Sequence, residues 1–352
     1  MKIGIVTLPL NNNYGGVLQN YALQCVLRKM GHSPITIFYK YSLPFPRNII
    51  HQIKVFFSKK KASALYTTED FSRFISNNID TTEPIKKYKK DIVEAYDIEC
   101  LIVGSDQVWR PRYSQFCFYD MFLRFAYKTD LLKIAYAASF GTDKWELSNK
   151  QTNKCKKLIQ QFSAISVREE SAVSMCEKLL NVTASHVVDP TFLLSRTDYE
   201  RIMDKELVVS SNQLLIYVLD MNDELKSNIE EYANQNSLLP IYLTSDSFDK
   251  TKTISIEMWL AYICKSKMII TDSFHGTVFS IIFHKDFRTI VNNKRGVDRF
   301  LSLLSKLELT NHIINPYKPI IRSMETDWYE VEKKLNNWID YSLNFINSNI
   351  RL

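Results

Sequence analysis

Short apolar runs alternate along the chain with stretches in which apolar residues recur every three or four positions. The short runs, rich in β-branched residues, predict strands at 2–8, 35–39, 100–106, 133–140, 164–169, 185–189, 214–219, 240–244, 268–271 and 288–292. The longer spacing predicts helices, among them 18–30, 170–180, 222–236, 255–265 and 276–284. Alternating strands and helices are typical of α/β folds with parallel sheets covered on both faces.

The strands fall into two series that meet near residues 190–213. We therefore predict two doubly wound domains, 1–195 and 196–324. A chain of 352 residues is long enough for one large or two medium domains. The stretch 325–352 has the apolar spacing of an amphipathic helix, and we expect it to pack back across the domains.

The composition is that of an ordinary soluble globular protein, with 45% hydrophobic and 24% charged residues. The amino-terminal apolar run is too short for a signal peptide, and no apolar stretch has the roughly 18 residues needed to span a membrane. We therefore expect a cytoplasmic protein. The six cysteines show no metal-binding spacing, which favours buried free thiols and predicts no metal site.

Positive charge is concentrated in the first part of the chain. Residues 1–68 contain nine Lys and Arg residues and no Asp or Glu, whereas the whole chain has a net charge of +7. This asymmetry indicates an anionic partner, such as phosphate, an acidic lipid surface or nucleic acid. Chance and simple solubility remain the alternative.

Ligands of doubly wound sheets bind at the carboxyl ends of the strands, near helix amino termini. The first loop in such a position contains Asn13, Tyr14, Gly15 and Gly16. Its glycines allow a close approach of the backbone to an anion. A plain tight turn, with Asn13 or Tyr14 capping the next helix, is the alternative.

A second loop, "GSDQVW", directly follows the predicted strand at residue 100. Asp106 and Ser105 are candidates for binding or activating a sugar hydroxyl, and capping of the next turn is the alternative for Asp106. Trp109 either stacks on a sugar ring or packs in the core.

The third loop, "TDSFHG", joins a buried strand to an apolar helix. His275 lies in the first turn of that helix, next to Ser273 and Gly276, where a histidine can exchange protons near neutral pH. The alternative is a histidine satisfied within the core. Its position at the end of the strand favours function.

Three arginines are candidates for binding a carboxylate or a phosphate. Arg168 follows the predicted strand at residue 164, so we expect it to point towards a ligand. Arg295 and Arg299 flank the start of a helix in the second domain. Ordinary surface charge is the alternative for both, and especially for Arg295.

Four segments, taken together and in this order, resemble the polysaccharide pyruvyl transferase family. They are "NYGGVLQNYALQ", "VGSDQVW", "SVREES" with "VVDPTFLL", and "TDSFHGTVFSIIF". The resemblance covers residues 1 to about 310, apart from most of 43–66. It implies two Rossmann-like domains that face a cleft, as in the glycosyltransferase B fold, with the acceptor on the first domain and the donor on the second.

The resemblance further implies a reaction. Phosphoenolpyruvate is the donor, and the acceptor is a pair of sugar hydroxyls on a cell-surface glycan or its lipid-linked precursor. The products are a pyruvate ketal and phosphate, and no cofactor or metal is required. His275 matches the catalytic histidine of the family, and Arg168 matches a donor-binding arginine. We assign Asp106 to activation of the sugar hydroxyl.

The chain departs from the family at Ser273, where characterised members carry an arginine. Either another cation holds the donor, with Arg295 and Arg299 as candidates, or the donor differs. Residues 49–61 combine lysines with apolar side chains. We therefore predict that they contact the anionic lipids of the inner face of the membrane. An acceptor-binding insertion is the competing interpretation.

Two other functions are compatible with parts of the pattern. A glycosyltransferase with a nucleotide-sugar donor would share the fold and the cleft. A non-catalytic protein that binds anions or nucleic acid would account for the basic first part. The lysines of 54–61 are local and do not alternate with exposed aromatic residues along a face, so we expect no nucleic-acid partner.

Overall fold

The computed structural model describes residues 1–40, 67–114, 116–243, 254–291, 296–321 and 325–350. The chain divides into two compact units, Met1–Leu193 with Trp338–Leu352, and Leu194–Asn337. Two features singled out in the sequence, the basic segment 49–61 and Arg295, lie outside the described residues.

The first unit is built on a sheet of six strands, and every neighbouring pair is parallel. The strands are β1 (Lys2–Val6), β2 (Ser33–Thr36), β3 (Cys100–Val103), β4 (Leu132–Ala138), β5 (Ala164–Val167) and β6 (Ser185–His186), in the spatial order β2-β1-β3-β4-β5-β6. β3, in the middle of the sheet, is buried along its whole length, as expected of a strand covered on both faces.

Helices connect the strands of the first unit. They are α1 (Tyr14–Lys29), α2 (Glu69–Asn78), α3 (Asp91–Ala95), α4 (Pro111–Ser114), α5 (Asn149–Ile159) and α6 (Glu170–Met175). α1 buries Leu18, Ala22 and Val26 at four-residue steps, which places them on one face. Its last turn carries Arg28 and Lys29, whose charge suits the negative end of the helix.

The second unit contains five strands, again all parallel. They are β7 (Gln213–Tyr217), β8 (Leu239–Tyr242), β9 (Met268–Thr271), β10 (Asp286–Ile290) and β11 (Ile313–Ile314), in the order β11-β10-β9-β7-β8. The helices are α7 (Arg196–Ile202), α8 (Asp223–Gln235), α9 (Ile256–Lys265), α10 (Phe274–Ile282), α11 (Val297–Lys306) and α12 (Trp328–Asn349). The predicted α/β fold with two parallel sheets is therefore confirmed.

The long helix α12 belongs to both units, because the division between them falls after Asn337. Within the second unit, its Glu332 accepts from Nε2 of His284 at 3.1 Å. Within the first unit, Trp338 Nε1 donates to the carbonyl of His186 and the Val188 N–H donates to Ser342 Oγ, both at 3.1 Å. The carboxyl-terminal part of α12 therefore completes the hydrogen bonding of the chain around β6.

All six cysteines are free, and four of them are buried. Burial raises the pKa of these four thiols, Cys100, Cys117, Cys155 and Cys176, to about 12. They are therefore protonated at neutral pH and act as small apolar side chains. This agrees with the buried thiols predicted from the sequence.

Candidate active site

The carboxyl edge of the first sheet carries a buried ionic cluster. Arg168 follows β5, and its Nη1 donates to Asp189 Oδ2 at 2.7 Å and to Ser105 Oγ at 3.4 Å. Ser105 Oγ donates to the same oxygen of Asp189 at 3.0 Å. Asp106 Oδ1 lies 3.7 Å from Arg168 Nη2. Parallel pairing brings the ends of β3, β5 and β6 to one edge, so residues distant in sequence meet there.

Asp106 has a backbone conformation that is rare for a residue with a side chain. Its φ is 78°, in the left-handed region, which Asp tolerates better than most residues. Its Oδ1 accepts from the N–H of Gln107 at 2.9 Å, and its carbonyl accepts from the N–H of Ser139 at 3.1 Å. These contacts hold Asp106 in place, and such conformations cluster at functional sites.

The charge of Arg168 is fixed by its surroundings. Burial alone would lower the pKa of the guanidinium, but the carboxylates of Asp189, Asp106 and Glu169 outweigh it and raise the pKa. Arg168 is 3% exposed, so its charge is balanced inside the protein. The sequence predicted a ligand-facing arginine, and the structure adds an internal partner, Asp189.

Asp189 was not singled out as a site residue, although it lies in the segment "VVDPTFLL". Its Oδ1 accepts from the N–H and the hydroxyl of Thr191 at 3.0 and 2.7 Å, while Oδ2 binds Arg168 and Ser105. Each carboxylate oxygen of Asp189 thus accepts two hydrogen bonds, and three residues supply the donors. An Asp at the end of a predicted strand and directly before a proline was the available signal.

Glu169 is a second buried carboxylate that sequence analysis passed over. Its Oε1 accepts from Ser139 Oγ at 2.9 Å and from the N–H of Gly141 at 2.8 Å. Glu169 therefore ties the end of β5 to the loop that leaves β4.

The glycine-containing loop before α1 is used for capping. Asn13 is the N-cap, and its Oδ1 accepts from the N–H of Gly16 at 3.2 Å. A Cβ on Gly16 would lie 2.9 Å from the Asn13 amide nitrogen, so a larger residue here would displace the capping side chain. Tyr14 packs on Phe71, with the ring centroids 5.0 Å apart, and Gly15 is buried in the first turn.

Trp109 is a core residue, which corrects the predicted contact with a sugar. Its side chain is fully buried, and its ring packs on Phe122 and Phe140, with centroids 5.1 and 5.2 Å away. Its Nε1 donates to the carbonyl of Met121 at 2.9 Å. A sugar needs an exposed ring face for stacking, and the packed aromatic side chains cover this one.

In the second unit, β9 runs directly into α10 through a tightly bonded turn. Asp272 accepts from the N–H groups of Leu219 and Asp220, at 2.7 and 3.0 Å. The Thr271 hydroxyl donates to the carbonyl of Tyr217 at 2.7 Å and accepts from the N–H of Ser273 at 3.0 Å. The turn is therefore anchored to the end of β7.

Ser273 is the N-cap of α10, and its Oγ accepts from the N–H of Gly276 at 3.3 Å. Packing explains the glycine at position 276. A Cβ there would lie 2.4 Å from Thr271 Oγ1, so only glycine lets α10 approach β9 this closely. A contact of Ser273 or Gly276 with a donor stays a prediction.

His275 occupies the first turn of α10 and is 7% exposed. Its ring meets that of Phe274 edge to face, with centroids 5.3 Å apart and planes at 86°. Arg299, from α11, places its guanidinium 5.1 Å from the centroid of the same Phe274 ring. The structure thus brings a cation and the histidine to one aromatic side chain, although the two are far apart in sequence.

The predicted site residues form separate groups. Ser105, Asp106 and Arg168 lie together in the first unit, and Ser273, His275, Gly276 and Arg299 lie together in the second. The cap formed by Asn13 and Gly16 opens α1. That Arg168 and His275 serve one site stays a prediction.

The sequence model of polysaccharide pyruvyl transferases matches residues 13–295. The chain belongs to the polysaccharide pyruvyl transferase family. The match spans Asn13 to Arg295 and thus contains all the predicted site residues except Arg299. Among curated proteins, no sequence match is found.

Solved structures similar to this family member share its fold at low sequence identity. S. aureus MnaA in complex with UDP is 10% identical, with a TM-score of 0.54 over 97% of this chain and 90% of the other. The UDP-GlcNAc 2-epimerase from Methanocaldococcus jannaschii is 11% identical, with a TM-score of 0.51 over 97% and 93%. The UDP-GlcNAc 2-epimerase from Neisseria meningitidis, bound to UDP-GlcNAc, is 10% identical, with a TM-score of 0.51 over 99% and 94%. These neighbours are of glycosyltransferase B type, which confirms the predicted fold class.

Two kinds of feature are absent from the part of this family member that the structure describes. No cluster of three or more His, Cys, Asp or Glu side chains suited to a metal ion occurs there. None of the helices there combines the length and the apolar character needed to cross a bilayer.

Proposed function

We propose that the protein transfers the pyruvyl group of phosphoenolpyruvate to two hydroxyls of a sugar, forming a cyclic ketal and releasing phosphate. The observation that carries this proposal is the family match over residues 13–295. The acceptor is a cell-surface glycan or its lipid-linked precursor, and phosphoenolpyruvate is a co-substrate, so no cofactor is required.

The proposed reaction needs one proton donor and one proton acceptor. A proton adds to the methylene carbon of phosphoenolpyruvate, which makes the neighbouring carbon electrophilic. The two sugar hydroxyls form two C–O bonds to that carbon, and its bond to the phosphate oxygen breaks. Of the two hydroxyl protons, one balances the new methyl group and the other leaves with phosphate. General acid–base catalysis of this kind contributes about 100- to 10,000-fold to a rate.

The donor is assigned to the second unit. His275 exchanges the proton with the donor or its phosphate, and the amino end of α10 favours a negative charge. Arg299 is the cation that stands in for the family arginine absent at Ser273, because it contacts Phe274, the neighbour of His275. The Ser273 hydroxyl accepts from Gly276 through its oxygen, so its proton can be donated to phosphate. Arg295 remains the alternative cation.

The acceptor is assigned to the first unit, because the cluster there sets one guanidinium against three carboxylates, those of Asp106, Asp189 and Glu169. Carboxylate oxygens accept hydrogen bonds from sugar hydroxyls. Asp106 activates the sugar hydroxyl. A guanidinium carries five N–H donors, so Arg168 can bind Asp189 and also the carboxylate or phosphate of the donor.

The enzyme is placed at the cytoplasmic face of the membrane, where a lipid-linked acceptor is found. The basic residues near the amino terminus support this placement, since they attract anionic lipid. Deleting residues 49–61 should lower co-sedimentation of the protein with anionic liposomes. If the deletion variant co-sedimented as well as the wild type, the proposed membrane contact of this segment would be contradicted.

The decisive experiment incubates the protein with phosphoenolpyruvate and a pool of lipid-linked glycans. We expect phosphate release that depends on the glycan, and a glycan product heavier by one pyruvyl ketal in mass spectrometry. The variants Arg299→Met and Arg295→Met form a matched pair. The variant that raises the apparent KM for phosphoenolpyruvate identifies the arginine that replaces the family arginine.

A nucleotide-sugar enzyme is the second candidate, because two of the similar structures hold UDP or UDP-GlcNAc. Those proteins are about a tenth identical to this chain, so the likeness extends to the fold alone. Hydrolysis of a nucleotide-sugar without phosphate release from phosphoenolpyruvate would favour this candidate over the pyruvyl transferase.

A further inference from the structure

The first unit contains a pocket that the proposed chemistry does not use. It has a volume of about 250 Å³ and is lined by Pro111, Phe116, Phe118, Tyr119, Arg124 and Gln151. Small-molecule sites typically measure about 300–1,000 Å³, so this pocket is sized for a single ring rather than a longer chain.

The pocket lies along the connections that leave the carboxyl edge of the sheet. Pro111 to Arg124 follow β3, and Gln151 is in the first turn of α5, which follows β4. Arg110 ties these connections together, because its Nε and Nη2 bind the Glu146 carboxylate at 2.9–3.3 Å. Arg110 therefore joins two connections that leave the edge where ligands of doubly wound sheets bind.

One wall is aromatic. Phe116 is 53% exposed, whereas Phe118 is buried and meets Tyr119 and Phe122 edge to face at 5.3 and 5.4 Å. A rigid aromatic surface with one exposed ring offers an apolar face to the C–H groups of a sugar.

A positive charge lies beside one lining residue of the pocket, Tyr119. Lys154 places its ammonium 3.8 Å from the centroid of the Tyr119 ring. It belongs to α5, which has four lysines and no acidic residue. The acidic side chain nearest in sequence to Tyr119, Asp120, is already paired with Arg124 through two bonds of 3.0 and 2.8 Å. The pocket therefore favours an anionic ligand.

Gln151 adds a polar group with a fixed role. Its Oε1 accepts from the N–H and the hydroxyl of Ser148, at 3.0 and 2.8 Å, in the capping box of α5. With the oxygen occupied, the amide NH₂ is the part of Gln151 that can serve a ligand, and it donates. A sugar hydroxyl or an anionic oxygen is a suitable acceptor.

We propose that this pocket, lined by Phe116, Tyr119 and Gln151 and flanked by Lys154 on the Tyr119 ring, binds a hexose ring that carries a phosphate or a carboxylate. The ring stacks on Phe116, Gln151 donates to it, and Lys154 selects the charge. Describing this ring as part of the acceptor glycan rests on the proposed function; the binding itself does not.

The test measures binding of three probes, glucose, glucose 6-phosphate and glucuronic acid, by saturation-transfer NMR in the absence of phosphoenolpyruvate. We expect both charged probes to bind about tenfold more tightly than glucose, through charge-assisted hydrogen bonds. Preference for only one of them identifies the anionic group.

Two substitutions separate the contributions of stacking and charge. Phe116→Ala should weaken the binding of all three probes about tenfold, and Phe116→Tyr should bind them as tightly as the wild type does. Lys154→Gln should remove the preference for charge and leave glucose unchanged. Tyr127 and Lys128 are the matched control, because they form a similar exposed pair at 5.7 Å outside the pocket. Tyr127→Ala and Lys128→Gln should change nothing.

The inference is overturned if the wild-type protein binds none of the probes, or if Phe116→Ala binds them as tightly as the wild type. Its failure is distinct from failure of the pyruvyl transfer. Binding that depends on Phe116 without phosphate release would contradict only the proposed function. If Phe116→Ala transferred the pyruvyl group with an unchanged apparent KM for the acceptor glycan, only the proposed role of the pocket would be contradicted.

Discussion

In the first unit, the carboxyl edge of the sheet is held by buried opposite charges, whereas in the second unit it is held by hydroxyls and backbone N–H groups. Arg168 and Asp189 join β5 to the segment after β6 through a bond of 2.7 Å. In the second unit, Thr271 and Asp272 bind main-chain groups of the segment after β7.

The difference suggests a division of roles. A buried ion pair fixes geometry at a high desolvation cost and tolerates the loss of neither partner. Main-chain bonds and the Ser273 cap fix the turn in the second unit, and His275, which is 7% exposed, lies in the first turn of the helix that follows. We therefore expect loss of Arg168 at the first edge to lower stability and loss of His275 at the second edge to lower turnover.

The largest expected effect is on turnover, in His275→Gln. Loss of the proposed proton transfer should lower kcat by about 100- to 10,000-fold, as for other general acids and bases. The melting temperature should stay close to that of the wild type, because glutamine is a polar side chain of similar size to the buried ring that it replaces. Phosphate release and thermal denaturation measure the two effects.

His284→Gln is the control for His275, since His284 follows the carboxyl end of the same helix and binds Glu332. Its turnover should match the wild type. A His275→Gln enzyme with near-normal turnover would remove this residue from the chemistry.

The next largest effect is on stability, in Arg168→Met. Removing one partner of the buried pair leaves Asp189 charged and uncompensated, which should cost about 3–5 kcal/mol of the free energy of unfolding. The exposed pair of Arg73 with Asp70 provides the comparison, and Arg73→Met should cost less than about 1 kcal/mol. Equal losses in urea denaturation would show that the first edge does not depend on its buried charge.

A smaller loss of stability is expected in Gly276→Ala. The added Cβ meets Thr271 Oγ1 at 2.4 Å, and such overpacking should cost about 1–3 kcal/mol. Gly104→Ala is the matched variant at the first edge, where the nearest atom is at 3.5 Å and the methyl group fits. If both alanines were tolerated equally, close packing of α10 on β9 would not explain the glycine.

The smallest effect is a pH dependence in the second unit, centred on His312. Burial lowers the pKa of His312 below its ordinary value of 6.5. The hydrogen bond to the Phe287 carbonyl and the charge of Asp286 raise the pKa, and the charge of Arg288 lowers it, so burial remains the dominant effect. The neutral ring fits its partners, since Nδ1–H donates to the carbonyl of Phe287 at 2.9 Å and the Thr326 hydroxyl donates to Nε2 at 3.0 Å.

Because the folded pKa of His312 is lowered, the unfolded chain binds the proton first as the pH falls through 6.5. Stability should therefore decrease on acidification below that value and stay constant above it. The pKa values of His32 and His284 are also lowered, so the readout is the difference from His312→Gln. An unchanged slope of the unfolding free energy in this variant would contradict the assignment.

Much of the fold was predictable because buried strands and amphipathic helices leave periodic patterns. The pattern failed where structure is short or polar. β11 has only two residues, and α5 was missed because it buries only Cys155, Leu158 and Ile159 and depends on the capping box of Ser148. β2 ends at Thr36, before the predicted 39, because the chain from Phe38 to Lys40 bonds instead to residues 82–85.

The candidate site was predictable in position and less so in its contacts. The rule that ligands bind at the ends of strands located Asp106, Arg168 and His275 from sequence alone. The bonds between Arg168 and Asp189, and the contact of Arg299 with Phe274, join segments distant in sequence. Such pairings depend on strand order, which periodicity does not specify. The predicted sugar contact of Trp109 was wrong, because position next to a candidate loop does not distinguish a binding tryptophan from one that packs in the core.

Because α12 contributes to both units, the first unit is discontinuous in sequence, and this affects the order of events during translation. Trp338 and Ser342, which bind the main chain at His186 and Val188, emerge from the ribosome only after residues 194–337. The nascent first unit must therefore wait, with these main-chain groups hydrated, until the second has been synthesised. Its last folding step therefore follows synthesis of the second unit, which makes the interval a natural point for chaperone engagement.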